Sequence, residues 1–69
     1  MNELRGAIHS VFPSIAELAR ALNWDRAKVS RIANHKQRPT ADEMELIAKA
    51  LRITNEKDFV RIFFPNLFN

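Results

Sequence analysis

A chain of 69 residues has room for one small domain, and its 46% hydrophobic and 28% charged content is that of a globular protein, not a disordered one. The absence of cysteine excludes a disulfide framework and a thiolate metal site, and no apolar run is long enough for a leader peptide or a membrane span. These features predict a cytoplasmic protein without membrane contact, and the net charge of +3 is too mild to identify a partner until its distribution is considered.

Residues 2–10 have helical spacing, with Leu4, Ala7, Ile8 and Val11 on one side, although Gly6 in the interior costs roughly 1 kcal/mol relative to alanine. Pro13 pushes Phe12 out of helical geometry and ends this element. Ser14 and Glu17 then have the spacing of a capping box, which opens a second helix over Ile15–Leu22. Ile15, Leu18, Ala19 and Leu22 fall on one face of it. Asn23 tolerates the left-handed conformation that often ends a helix. Asp25 is placed to cap a third helix over Arg26–Ala33, with Val29 and Ile32 facing inward. Helix, short turn and helix make a helix-turn-helix.

From residue 26 to residue 39 the chain carries Arg26, Lys28, Arg31, Lys36 and Arg38 with no carboxylate, whereas Asp42, Glu43 and Glu45 follow directly. A cationic cluster on a near-neutral remainder is the electrostatic footprint of a polyanion binder. Residues 34–39 form a basic loop, after which Thr40 and Glu43 make a second capping box for a fourth helix with Met44, Ile47, Ala48 and Leu51 inward. Thr54 or Asn55 caps the last helix, where Phe59, Ile62 and Phe63 recur at helical spacing before Pro65 closes it. No strand pattern competes.

Ala19, the apolar Leu18 and Leu22, the turn at Asn23, and Trp24, Val29 and Ile32 match the core positions of a helix-turn-helix. With the continuation ANHKQRPTADEMELIAKAL, residues 15–53 resemble the Cro/C1-type (lambda-repressor-like, XRE) family. The resemblance implies an all-α, five-helix DNA-binding domain, here a single domain over 1–69 with its helix-turn-helix core at 14–34 and a C-terminal helix and aromatic tail at 55–69. Asn23 stands where the family's turn glycine is usual, His35 where a glycine commonly follows the recognition helix, and Ile15 where a polar residue is frequent.

A helix fits the major groove of double-stranded DNA, the groove in which all four base pairs are distinguishable, and the first half of the recognition helix lies closest to the base edges. Arg26 and Arg31 are the expected base readers, with Ala27 and Ser30 shaping the fit. Ser14, Lys28, Asn34, Lys36, Gln37 and Arg38 are the expected phosphate contacts, those of Asn34 and Lys36 being supported by the family resemblance. Asp25 would repel phosphate and is assigned to capping. Trp24 is read as a core residue that locks the turn. Two separated histidines without cysteine suggest no metal, no cofactor is implied, and the carboxylates of residues 42–45 serve helix capping rather than catalysis, so no enzyme is expected.

The tail is more apolar than the core requires. Val60, Phe64, Leu67 and Phe68 remain either as the interface of a two-fold homodimer or as a segment folded back over the groove between the first and last helices. The expected function is sequence-specific DNA binding in transcriptional regulation, of the phage-like repressor type. Two alternatives stay open: an antitoxin that also holds a toxin partner, and a protein-interaction module that keeps the scaffold without affinity for DNA.

Overall fold

The computed structural model describes residues 2–68, apart from the Phe68 side chain. Five α-helices follow one another: α1 Glu3–Val11, α2 Ile15–Leu22, α3 Arg26–Ala33, α4 Ala41–Ala50 and α5 Glu56–Phe63, followed by a 3₁₀ turn over Pro65–Phe68. Among the described residues there is no strand. The second and third helices have the bounds expected from their punctuation. The first begins one residue later, because Asn2 lies outside it and caps it, its side-chain oxygen accepting from the Arg5 amide at 3.1 Å. Asn55, not Thr54, caps α5, accepting from the Asp58 amide at 2.8 Å.

The core is assembled from one stripe of every helix: Leu4 and Ile8, Leu18 and Ala19, Val29, Ile32 and Ala33, Met44, Ile47 and Ala48, and Ile62 and Phe63, with Leu51 at the end of α4. α2 packs on both α3 and α4, while α1 packs on α5 and α2. Phe59 is half-buried, and its ring centroid lies 4.8 Å from that of Phe63. On the surface Arg61 pairs with Glu3 across the α1–α5 seam and with Asp58 one turn back. The Arg61 guanidinium, with the Asn55 amide, holds the Asp58 carboxyl below the usual carboxylate range.

Three helices end in the same device. The Trp24, Lys36 and Ile53 amides reach back to the carbonyls of Ala19, Arg31 and Ala48 at 2.9, 2.8 and 2.9 Å. Each preceding residue (Asn23, His35 and Arg52) is left-handed, with φ of 59°, 58° and 60°. This is the Schellman termination, which satisfies the last free carbonyls of a helix. All three left-handed sites carry side chains, and the chain's one glycine sits elsewhere, at Gly6 inside α1.

Two capping expectations are corrected. The box at Ser14 is half-formed: its hydroxyl accepts from the Glu17 amide at 3.2 Å, but the Glu17 carboxylate pairs with Arg20 at 3.0 Å, a competing cation one turn away. Asp25 occupies the N-cap position of α3 without bonding a helix amide, and it is exposed. Thr40 and Glu43, in contrast, form the complete box.

Gly6 is exposed, and a β-carbon added there meets nothing within 4 Å. Gly6→Ala is therefore expected to stabilise the domain by about 0.5–1 kcal/mol, through the lower helix entropy cost of alanine. Thermal unfolding followed by circular dichroism should show a midpoint several degrees higher; an unchanged or lowered midpoint contradicts this account of α1.

Candidate nucleic-acid interface

α3 has two unlike faces. Val29, Ile32 and Ala33 are at most 2% exposed and hold the helix against the core. At about 100° per residue, Ala27, Arg31 and Asn34 lie on the opposite face, while Ser30 and Arg26 lead from it back toward the edge beside Ala33. Arg26, Ala27 and Arg31 are exposed and Ser30 is half-buried. The four residues expected to read bases thus share one outward surface. Neither Arg26 nor Arg31 forms an ion pair among the described residues.

The loop after α3 folds back against the end of that helix. The Lys36 and Gln37 amides both donate to the Arg31 carbonyl, at 2.8 and 3.2 Å, and the His35 amide donates to Ile32 at 3.1 Å. These bonds require the left-handed turn at His35, the position where the family resemblance leads one to expect glycine. From this loop the Gln37 side-chain oxygen accepts a 2.8 Å bond from Arg31 Nε. Lys36 is exposed and has no side-chain partner among the described residues.

The expected phosphate contacts separate into different uses. Lys28 lies on the margin of α3 nearest α4; its ammonium pairs with Glu43 and sits 4.5 Å from the centre of the Trp24 ring. In the free chain that edge of the helix faces a carboxylate and an indole at the α3–α4 seam. Asn34 is a brace: its amide nitrogen donates to the Ser30 carbonyl at 2.9 Å, and its oxygen accepts from Arg5 at 2.8 Å. The guanidinium of Arg38 lies over the ring of Phe64, 5.2 Å from its centre, and Arg38 remains exposed. The hydroxyl of Ser14 accepts the capping bond from the Glu17 amide, which leaves its O–H able to donate.

Sequence reasoning did not identify Arg5. The amide nitrogen of Asn2 donates to the Ala33 carbonyl at 2.6 Å, so the start of α1 is anchored at the end of α3 and Arg5 is brought beside Asn34. Helical periodicity along α1 carries no sign of a contact made 29 residues away. The capping preference of Asn2 was the available local signal, and it pointed only to the helix start.

At the tail, Phe64 is half-buried, packs against the core and lies beneath Arg38, while Val60 is half-buried beside Phe59 and Ile53. Leu67 is 71% exposed. Phe68, the fourth residue expected at a partner surface, has a side chain outside the described residues. The apolar surface available to a partner is therefore smaller than the composition suggests.

Lys28 beside Glu43, with the Thr40 amide, lowers the Glu43 carboxyl below its ordinary value. A depressed folded-state value adds stability above the ordinary carboxylate range, and that stability is lost as pH falls through the folded-state value. Glu43→Gln keeps a side chain able to close the capping box but removes the charge. It should cost about 0.5–1 kcal/mol near neutral pH, the scale of a partly exposed ion pair. The difference in melting midpoint from the parent should narrow as pH falls through the lowered folded-state value of Glu43 and close once the parent carboxyl is also neutral. An equal gap at both ends of that range would show that the Lys28 pairing contributes nothing to stability.

A family model described as helix-turn-helix matches residues 14–55, more than half of the chain and inclusive of α2, α3, the basic loop and α4. No curated protein and no solved structure gives a match.

Proposed function

Because this chain belongs to the Cro/C1-type helix-turn-helix family of DNA-binding regulators, we propose that it is a sequence-specific, repressor-type transcriptional regulator whose α3 enters the major groove of duplex DNA. The observation that carries this reading is the division of α3 into a fully buried Val29–Ile32–Ala33 side and an exposed side bearing Arg26, Ala27, Ser30 and Arg31. A helix clamped in this way cannot roll, so its outward side chains reach base edges from a fixed direction. Arg26 and Arg31 each have the donor geometry for guanine, Ala27 suits a thymine methyl, and Ser30 accommodates several base edges. Lys36 is the principal phosphate contact, with Arg38 and Arg5 on either side of the loop adding sequence-independent attraction. Lys28 and Asn34 act by holding α3 in place.

Binding to random duplex should weaken steeply with salt, because each neutralised phosphate releases counterions. Arg31→Ala is expected to cost about 1–3 kcal/mol on the preferred site and to relax preference at one base pair. Lys36→Ala should weaken all sequences alike and reduce the salt slope by about 1. Selection from a random oligonucleotide pool, followed by titrations of both variants, separates these roles; uniform losses from both would refute the division between reading and anchoring.

The reading extends to a two-fold homodimer contacting through Val60 and Leu67, which would place two recognition helices about 34 Å apart on one face of the duplex. Light scattering at micromolar concentration should give twice the chain mass, or the selected sites should show inverted half-sites. A monomer in solution with a single undivided half-site on DNA would remove the dimer from the proposal.

A further inference from the structure

The bond from Arg31 Nε to the Gln37 side chain has a consequence for how a base would be read. An arginine can grip the O6 and N7 edge of guanine side-on, through Nε and one terminal nitrogen, or end-on, through its two terminal nitrogens. With Nε donating to Gln37 Oε1 at 2.8 Å, the side-on approach is occupied within the protein and both terminal nitrogens are left for a base. We propose that Gln37 is a specificity-determining positioning residue: it locks Arg31 for end-on recognition of a guanine and does not itself bind phosphate.

The loop is built to hold this contact. Two successive amides, those of Lys36 and Gln37, return to the Arg31 carbonyl, so the main chain of Gln37 is fixed to the residue whose side chain it orients. Gln37 is half-buried, whereas Lys36 beside it is exposed. One loop thus presents a cation to solvent at residue 36 and turns a neutral acceptor toward Arg31 at residue 37. A free arginine side chain samples many rotamers, and their loss on binding weakens its grip; prior fixation removes part of that cost for one arrangement only. Discrimination between base pairs depends on that arrangement, whereas attraction to phosphate does not.

The inference rests on the DNA-binding reading above, and its test distinguishes the two. Gln37→Leu removes the acceptor at similar size, and Gln37→Glu keeps an acceptor while adding a charge that phosphate repels. Base preference should be measured at every position of the selected site, alongside affinity for random duplex. With Gln37→Leu, discrimination at the base pair identified by Arg31→Ala should fall at least about threefold, a part of what a bidentate arginine–guanine pair supplies. Affinity for random duplex and its salt slope should be unchanged. Gln37→Glu should retain that discrimination while binding every duplex more weakly. Unaltered discrimination in Gln37→Leu overturns the proposal, whether affinity stays constant or falls uniformly as a phosphate contact requires.

The free protein provides a second readout. The Arg31 Nε–H nuclear magnetic resonance signal should exchange with water more slowly in the parent than in Gln37→Leu. Equal exchange rates overturn the locking contact itself. Slow parent exchange in a protein that selects no sequence would instead retain the contact and defeat the regulator reading, and with it the role in specificity.

Discussion

Everything the interface can do depends on the burial of Val29, Ile32 and Ala33. α3 has eight residues, well short of the roughly 12–15 needed for marginal helix stability in isolation, and the Asp25 side chain makes no capping bond to it. The missing cap forgoes about 1 kcal/mol. Burial of Val29 and Ile32 contributes about 1.5–3 kcal/mol each, so packing outweighs the cap by a wide margin. The helix exists because the domain holds it, and its rotational setting is that of the core. This explains why a cationic surface on so short an element can have a fixed geometry.

Around that helix the polar contacts act as braces from three directions. Asn2 holds the Ala33 carbonyl and Arg5 holds Asn34 from α1; Glu43 holds Lys28 from α4; Gln37 holds Arg31 from the loop. These contacts involve exposed or half-buried side chains, where individual pairs contribute little stability. Their effect is directional. They fix which cations face outward, reducing the five positive charges between residues 26 and 39 to an outward set of Arg26, Arg31, Lys36 and Arg38. A net charge of +3 is compatible with DNA binding because duplex DNA meets this local set, while Glu43 of α4 and Asp58 of α5 are engaged in a cap or a seam.

The fold was legible where punctuation is strict and local. Asn23 between two apolar stripes marked the end of α2, and Pro13 marked the end of α1, so the helix-turn-helix could be placed by residue type alone. Capping was less legible because one carboxylate can serve two masters: Glu43 both closes its box and meets Lys28, whereas Glu17 leaves its box for Arg20. The placement of Ala27, Ser30 and Arg31 away from the buried stripe of α3 followed from helical period. The contacts of Lys28 with Glu43 and of Arg5 with Asn34 did not, since each depends on a neighbour outside its own helix that periodicity cannot reveal. In the tail, hydrophobicity indicated burial without indicating whose surface provides it; Phe64 finds its cover in Arg38 of the same chain.

The three left-handed helix ends suggest why the turns are so well defined despite the lack of glycine. Glycine at such a site is easy to place but leaves the unfolded chain more conformations, whereas Asn23, His35 and Arg52 accept a steric cost in the folded turn and limit that freedom. At His35 the consequence reaches function. The left-handed turn directs the Lys36 and Gln37 amides onto the Arg31 carbonyl, and the same reversal brings the Gln37 side chain to Arg31 Nε. Any residue at position 35 that prefers extended backbone would strain both contacts together, so the geometry of the Arg31 side chain is set partly by the terminus of its own helix.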